Sequence, residues 1–128
     1  AAEMGAHVIG VTCQQIENYR PGKANPWVHE EWRTQTLSER LGLLTSRSQA
    51  FLALPGGVGT LAEVTLAWNL LAVNAIQPCP LILIGPGWEA VINTLVEQQQ
   101  TNINDKTRRL VVSVPSVDAA VKALALWQ

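Results

Sequence analysis

A glycine-rich loop that leads into a helix is the clearest chemical feature of this 128-residue sequence. The stretch ALPGGVGTLAEV, residues 53–64, begins as an apolar strand, passes Pro55 and then places three glycines within four positions. The first N–H groups of a helix attract anions, and glycines let a phosphate approach the backbone closely. We therefore predict a phosphate cradle here, with a tight turn that binds no ligand as the alternative. The predicted phosphate cradle consists of Gly56, Gly57, Val58, Gly59 and Thr60.

The loop does not match the two common nucleotide-binding motifs. A Walker A loop is excluded because no Gly-Lys-Ser/Thr follows the glycines. Gly57-Val58-Gly59 supplies the first part of a dinucleotide-binding fingerprint, but the third glycine is missing. No acid follows at the distance needed to hold a ribose, since the next one after Glu63 is Glu89. These differences argue against an NAD-dependent enzyme.

Glu63 is a lone carboxylate in an apolar helix. It is the only charged residue between Arg47 and Glu89. A carboxylate among apolar neighbours requires a partner or a chemical role. One structural role is a capping box, with Thr60 as the N-cap and Glu63 at the third helical position. The capping role and a catalytic role are compatible.

Arg40 is the second charged residue in apolar company. The segment TLSER begins with another capping box, Thr36 to Glu39. At about 100° per residue, Arg40 falls within the arc that leucines such as Leu37 and Leu44 form. Its guanidinium group must therefore reach solvent, pair with a carboxylate or hold a ligand.

The order of apolar runs and helical patterns predicts the fold class. The predicted strands are His7–Thr12, Ala50–Leu54, Leu81–Ile84 and Leu110–Val114. The predicted helices are Leu37–Ser48, Thr60–Val73, Trp88–Gln99 and Val117–Leu126. This alternation predicts an α/β fold with a parallel sheet and helices on both faces, in three layers. Residues 14–35, which include Pro21, are expected to form a long polar loop.

Composition narrows the function classes. The length predicts a single domain over residues 1–128, and a net charge of −1 without a basic stripe argues against binding to nucleic acid. No apolar run is long enough to cross a membrane, and the two cysteines, Cys13 and Cys79, lie far apart, so we expect a reduced, cytoplasmic protein. The histidines lack the spacing of metal ligands, and no metal site is predicted.

The start, AAEMG, is typical of the end of a helix with a stop at Gly5, and we expect that a strand and a helix upstream are missing.

Three segments together resemble the LOG (Lonely Guy) family. PGGVGTLAE matches the family signature PGGxGTxxE, and LSERLGLL resembles its MHERKxxM helix. GAHVIGVT resembles the strand before that helix. The similarity covers most of the chain, although members of the family usually carry a further N-terminal portion.

The resemblance implies a Rossmann-like fold, a homodimer or a higher homo-oligomer, and hydrolysis of nucleoside 5′-monophosphates to free base and ribose 5-phosphate. The catalytic arginine and glutamate of the family correspond to Arg40 and Glu63. A carboxylate at this place would stabilise positive charge on the sugar and orient or deprotonate water. No cofactor is implied for this reaction.

The sequence also departs from the family pattern. Leu41 replaces the lysine of the ERK segment, Ser38 replaces its histidine, and Ala62 replaces the first of two acids near the end of the signature. These changes concern the specificity for cytokinin ribotides, which the resemblance implies as the classical substrates, and leave the phosphate cradle intact. The alternative function is a carrier for a phosphorylated cofactor, since molybdenum-cofactor carrier proteins share this fold.

Overall fold

The computed structural model describes residues 1–19, 22 and 25–127. Their contacts divide the chain into two compact units, Ala1–Arg47 and Ser48–Gln128. The strands of this described part are β1 (Ile9–Cys13), β2 (Glu30–Thr34), β3 (Phe51–Ala53), β4 (Leu81–Ile84) and β5 (Val111–Val114). The helices are α1 (Gln14–Tyr19), α2 (Leu37–Arg47), α3 (Val58–Ala72), α4 (Pro86–Gln98), α5 (Asp105–Arg108) and α6 (Val117–Ala125), and a short 3-10 helix spans Ala2–Met4.

The second unit is built around a parallel three-stranded sheet in the order β3-β4-β5. The central strand β4 is buried along its whole length, which explains why its sequence is uniformly apolar. Leu81 and Leu83 lie in one apolar cluster, whereas Ile82 and Ile84 lie in another. Successive side chains of a strand point to opposite faces, so the two clusters occupy opposite faces of the sheet.

Helices cover both of these faces. Val64 and Trp68 of α3 and Ile92 of α4 belong to the larger cluster, with Leu81 and Leu83. Ala120 of α6 belongs to the smaller cluster, with Ile82 and Ile84. The unit therefore has the three layers that the strand–helix alternation predicted, as in a Rossmann-like α/β fold.

The first unit contains a parallel pair of strands, β1 and β2, with α2 packed against both. Its interior is small and partly polar. Cys13, Thr34 and Thr45 are its buried residues among those that the structure describes. Thr34 donates a hydrogen bond from Oγ1 to the carbonyl oxygen of Thr12 at 2.8 Å, which ties β2 to β1.

The prediction of a continuous polar loop over residues 14–35 is wrong at both ends. Helix α1 begins at Gln14, and β2 begins at Glu30. Strand β2 lacks an apolar run because it has one neighbouring strand and exposes Glu30, Glu31 and Arg33. The pairing of its backbone with β1, rather than its side chains, makes this segment a strand. Pro21 lies outside the described residues.

Two local predictions about helix ends are confirmed. Gly5 ends the 3-10 helix in the left-handed conformation, with a φ of 78°. At the start of α2, the backbone N–H of Glu39 donates to Thr36 Oγ1 at 3.2 Å, and the Glu39 carboxylate accepts from the N–H of Thr36 at 3.1 Å. This is the reciprocal pair of a capping box. A further N–H, from Gln35, also donates to this carboxylate, and these backbone hydrogen bonds lower the pKa of Glu39.

Gly85, at the junction of β4 and α4, has a conformation that favours glycine. Its φ of 116° and ψ of 155° lie in a region that other residues rarely adopt. A Cβ atom at Gly85 would lie 3.0 Å from Cγ of Pro55. Both the backbone and the neighbouring loop therefore require a glycine at this position.

We predict that Gly85→Ala lowers the free energy of unfolding by about 1–3 kcal/mol, because it forces alanine into a strained backbone conformation. Urea denaturation followed by circular dichroism measures the change. Gly87→Ala is the matched control, since a Cβ atom at Gly87, in the first turn of α4, would meet no described heavy atom within 4 Å. Equal stability of the two variants would contradict the prediction.

We also predict that the contribution of Glu39 to stability depends on pH. Because its pKa is lowered in the folded chain, this contribution is complete above the pKa of an unfolded glutamate, about 4.3. It is lost as the pH falls through the lowered pKa of the folded state. Denaturation of the wild type and of Glu39→Gln at pH 7 and in acid should show a stability difference that shrinks in acid. A difference that is independent of pH would refute the charged capping role.

Candidate functional site

The predicted phosphate cradle lies at the start of α3. Gly57 is the N-cap residue, with an extended backbone, and the N–H of Leu61 makes a helical hydrogen bond to the Gly57 carbonyl at 3.0 Å. The N–H groups before Leu61 have no acceptor inside a regular helix, and they point outward from the N-terminal end of α3. Residues 56–59 are exposed, and Val58 retains 84% of its accessible surface. This end of α3 is therefore accessible to an anion.

Gly56 allows Thr60 to fold back over the loop. A Cβ atom at Gly56 would overlap Oγ1 of Thr60 and lie 2.8 Å from its Cβ. The glycine at this position is required by the neighbouring side chain. By contrast, a Cβ atom at Gly57 or Gly59 would meet no described heavy atom within 4 Å, so the space above these two residues is open.

The predicted capping box of Thr60 and Glu63 is wrong. Helix α3 begins at Val58, two residues earlier than the pattern predicted, and Gly57 takes the N-cap position. Thr60 is the third residue of the helix, and its side chain lies against Gly56 rather than at the cap. Glu63 is the sixth residue and lies beyond the position from which a capping-box carboxylate reaches back.

Glu63 lies one helical turn beyond the cradle. It follows Thr60 by three residues and Gly59 by four, so all three share one side of α3. The side chain is half-buried and lies beside the buried stripe of the helix, which includes Val64 and Ala67. The structure thus brings the predicted carboxylate and the predicted phosphate cradle together on one helix.

Arg40 lies in the first turn of α2, in the other unit. It is half-buried, as its place on the apolar arc of the helix predicted. Its Nε donates a hydrogen bond to the carbonyl oxygen of Val11 in β1 at 2.9 Å. A backbone carbonyl was not among the partners that the sequence suggested. This bond holds the stem of the guanidinium group against β1.

Arg40 also lines a cavity of about 720 Å³ within the first unit. Backbone and side chains of β1, including Thr12 and Cys13, form one wall, and Glu31 and Arg33 of β2 contribute charged groups. The volume lies within the range of small-molecule pockets, about 300–1,000 Å³.

Sequence reasoning missed the polar network beside this cavity. Thr12 Oγ1 donates to Glu31 at 2.6 Å, while Arg33 pairs with Glu17 and also donates to Gln14 at 3.0 Å. These residues come together because β1 and β2 pair in parallel, with Thr12 opposite Arg33. Trp32 and Thr34 alternate with the exposed Glu31 and Arg33, and this period of two was the signal that could have revealed the strand.

A second polar cluster lies where β2 begins. Glu30 accepts hydrogen bonds from Trp32 Nε1 at 2.6 Å and is paired with His7 Nε2 at 3.0 Å. These two contacts, chiefly that from Trp32, lower the pKa of the Glu30 carboxyl group. The His7 and His29 rings stack, with their centroids 5.5 Å apart. The cluster fixes the start of β2 beside β1.

The candidate residues thus form two sets. Arg40 belongs to the unit Ala1–Arg47, whereas the cradle and Glu63 belong to the unit Ser48–Gln128. Among the described residues, no group of His, Cys, Asp or Glu side chains is arranged to hold a metal ion. In the same part of the chain, no helix is long and apolar enough to cross a membrane.

Comparisons with known proteins show which family the sequence matches. Residues 1–124 match the family model described as "Possible lysine decarboxylase". A probable cytokinin riboside 5′-monophosphate phosphoribohydrolase of Oryza sativa subsp. japonica is 34% identical over 126 residues, which cover 94% of this chain and 53% of the relative. A second protein of the same description from that plant is 28% identical over 124 residues, covering 94% and 57%.

A bacterial relative supports the same relationship. The cytokinin riboside 5′-monophosphate phosphoribohydrolase of Mycobacterium tuberculosis is 33% identical over 97 residues, which cover 72% of this chain and 50% of the relative. The chain thus spans about half the length of the curated relatives it matches. Because the family model covers nearly all of residues 1–128, the chain belongs to the possible lysine decarboxylase family, the LOG family to which these phosphoribohydrolases also belong.

Proposed function

We propose that this chain hydrolyses the N-glycosidic bond of a nucleoside 5′-monophosphate and releases a free base and ribose 5-phosphate. The observation that carries the proposal is the pairing, on α3, of an exposed glycine loop at the helix N-terminus with Glu63 one turn further on. Family membership and the names of the relatives support the same reaction.

The cradle is proposed to bind the 5′-phosphate. The N–H groups at the start of α3 and the positive end of its dipole favour an anion. The open space above Gly57 and Gly59 lets phosphate oxygens approach the backbone. Binding at this place would anchor the substrate by the part that does not react.

Glu63 is proposed to act at the bond that breaks. As the bond between C1′ and the base nitrogen breaks, positive charge develops on the sugar, and a nearby carboxylate stabilises it. The same carboxylate can orient a water molecule and accept its proton while the water oxygen bonds to C1′. The base leaves with the electron pair of the broken bond and takes up a proton.

Arg40, which corresponds to the arginine of the family motif, is proposed to bind a phosphate group or a base. A guanidinium group binds phosphate oxygens through two parallel hydrogen bonds. The bond from its Nε to Val11 restricts the side chain and reduces the entropy that binding would otherwise cost.

Ser38, Leu41 and Ala62 differ from the family pattern, so the proposal concerns nucleoside 5′-monophosphates as a class and not one particular base. The homo-oligomer and the cytoplasmic location stay predictions.

Replacing the proposed catalytic carboxylate tests this function. We expect Glu63→Gln to lower kcat by about 10²- to 10⁴-fold, the usual contribution of a general acid or base, because the amide cannot accept a proton from water. Release of free base from AMP and from N6-prenylated AMP, separated by chromatography, measures turnover.

Glu97→Gln is the matched control, because Glu97 is exposed near the C-terminal end of α4, whereas the contacts with the cradle loop lie at its N-terminal end. Denaturation curves of both variants show whether each is folded. Full activity of a folded Glu63→Gln variant would remove Glu63 from the mechanism. Binding of these nucleotides by the wild type without turnover would refute the hydrolase and favour the carrier alternative.

The cradle itself is tested at Gly56. We expect Gly56→Ala to displace Thr60 and to weaken binding of inorganic phosphate about tenfold, the equivalent of losing roughly one hydrogen bond. Its free energy of unfolding should also fall by about 1–3 kcal/mol, the usual cost of overpacking. Calorimetric titration measures the first effect and urea denaturation the second.

Gly59→Ala is the control for stability, since alanine there adds a helix-favouring residue in open space. Its free energy of unfolding should equal or exceed that of the wild type. Unchanged phosphate affinity in a folded Gly56→Ala variant would contradict the role given to this part of the cradle.

A further inference from the structure

Gly85, which follows β4, and Trp88, in the first turn of α4, contact the loop that carries the phosphate cradle. The ring of Pro55 lies against Gly85, where an added Cβ atom would come within 3.0 Å of Pro55 Cγ. The indole Nε1 of Trp88 donates a hydrogen bond to the carbonyl oxygen of Leu54 at 3.3 Å. Leu54 and Pro55 immediately precede Gly56, so both contacts are made to the two residues that lead into the cradle.

These two supports are themselves anchored. Gly85 donates its N–H to the carbonyl oxygen of Val114 at the end of β5, at 2.8 Å. Trp88 is 6% exposed and belongs to the same apolar cluster as Val64 and Ala67 of α3. Its ring is therefore held in the core, while its single N–H group is directed at the loop.

The carbonyl of Leu54 lies just past the end of β3, where the strand ladder ends. The paired residues of β3 and β4 end at Ala53 and Leu83. A buried indole N–H requires an acceptor, because a polar group that is removed from water without a hydrogen bond costs free energy. Leu54 is exposed, and its carbonyl oxygen, beyond the last ladder pair, can accept a hydrogen bond from a partner outside the ladder. The Trp88 side chain supplies this partner from α4.

From these contacts we infer that Trp88 is a positioning residue for the phosphate cradle, acting through the carbonyl of Leu54. This inference rests on the proposed function of the cradle. The hydrogen bond fixes the direction in which the chain leaves β3, and thereby the position of Gly56 and Gly57 relative to the first N–H groups of α3. Trp88 itself does not touch the substrate.

The chain provides a closely matched control for this role. Trp68 is also nearly buried, at 5% exposure, and belongs to the same apolar cluster. Its Nε1 likewise donates to a backbone carbonyl, that of Thr107, at 2.8 Å. Thr107 belongs to α5, far along the chain from the cradle. Trp88→Phe and Trp68→Phe therefore remove the same kind of ring and the same kind of hydrogen bond. Trp68 lies on α3 about two turns beyond the cradle, and its hydrogen bond goes to α5, whereas that of Trp88 goes to the residue two positions before Gly56.

The test compares these two variants in the full 128-residue chain. We expect Trp88→Phe to weaken binding of inorganic phosphate and of AMP by about threefold to tenfold, the equivalent of one hydrogen bond between neutral groups. Trp68→Phe should bind both ligands as the wild type does. In turnover assays, Trp88→Phe should raise KM by a similar factor and change kcat by less than about twofold, because Glu63 lies beyond the displaced loop.

Urea denaturation of both variants separates positioning from a general loss of stability. Equal phosphate affinities of the two variants would overturn the inference, and so would the absence of phosphate binding by the wild type. If Trp88→Phe does not fold, site-specific incorporation of 3-benzothienylalanine at Trp88 keeps the ring size and removes only the N–H group; the same weakening of phosphate binding is then expected. Weaker phosphate binding without any turnover by the wild type would support the positioning role while refuting the hydrolase.

Discussion

The burial of β4 on both faces is the constraint on which the second unit depends. Leu81 and Leu83 pack under α3 and α4, while Ile82 and Ile84 pack under α6. Parallel neighbours on both sides of this strand require each connection to cross back over the sheet, and a helix makes that crossing. All the strands then end at the same edge. The loop at residues 54–57 and the turn at Gly85 therefore meet at this edge because β3 and β4 are parallel neighbours, and not because of their own local sequences.

This shared edge explains how an exposed glycine loop obtains a defined shape. Gly56 leaves room for the Thr60 side chain, and Gly57 and Gly59 leave open space above the backbone, but glycines also give the unfolded chain more freedom. A cradle made of such residues needs support from outside. Pro55 is supported by Gly85 and Leu54 by Trp88, and both supporting residues are anchored in the sheet or the core. The sheet and the apolar core thus position the proposed phosphate cradle through these two contacts.

The first unit is held together differently. Its described interior buries only Cys13, Thr34 and Thr45, so apolar burial contributes little to it. Its elements β1, α1 and β2 are joined instead by polar contacts between their side chains. Examples are the hydrogen bond between Thr12 and Glu31 and the ion pair between Glu17 and Arg33. Exposed pairs of this kind each contribute little and are screened by salt. Arg40 is held to this unit by a bond to a backbone carbonyl, which does not depend on the charge of a partner.

The sequence by itself determined the elements whose signals are local. The apolar run of β4, the capping box of α2 and the stop at Gly5 are short-range patterns, and the structure contains all three. The alternation of these elements was enough to predict parallel strands between helices, and the glycine loop followed by Glu63 was enough to predict one helix that carries both.

Only the tertiary structure decided the features that depend on residues distant in sequence. Strand β2 forms because its backbone pairs with β1, and its charged side chains gave no apolar signal. Helix α3 begins at Val58 with Gly57 as its N-cap, and the Thr60 side chain lies against Gly56, so the expected cap at Thr60 is not formed. Arg40 finds its acceptor on β1, and Trp88 finds its acceptor at the end of β3, 34 residues earlier in the chain. Periodicity reports which face of an element is apolar, but the partner of each polar group is set by which elements the fold places side by side.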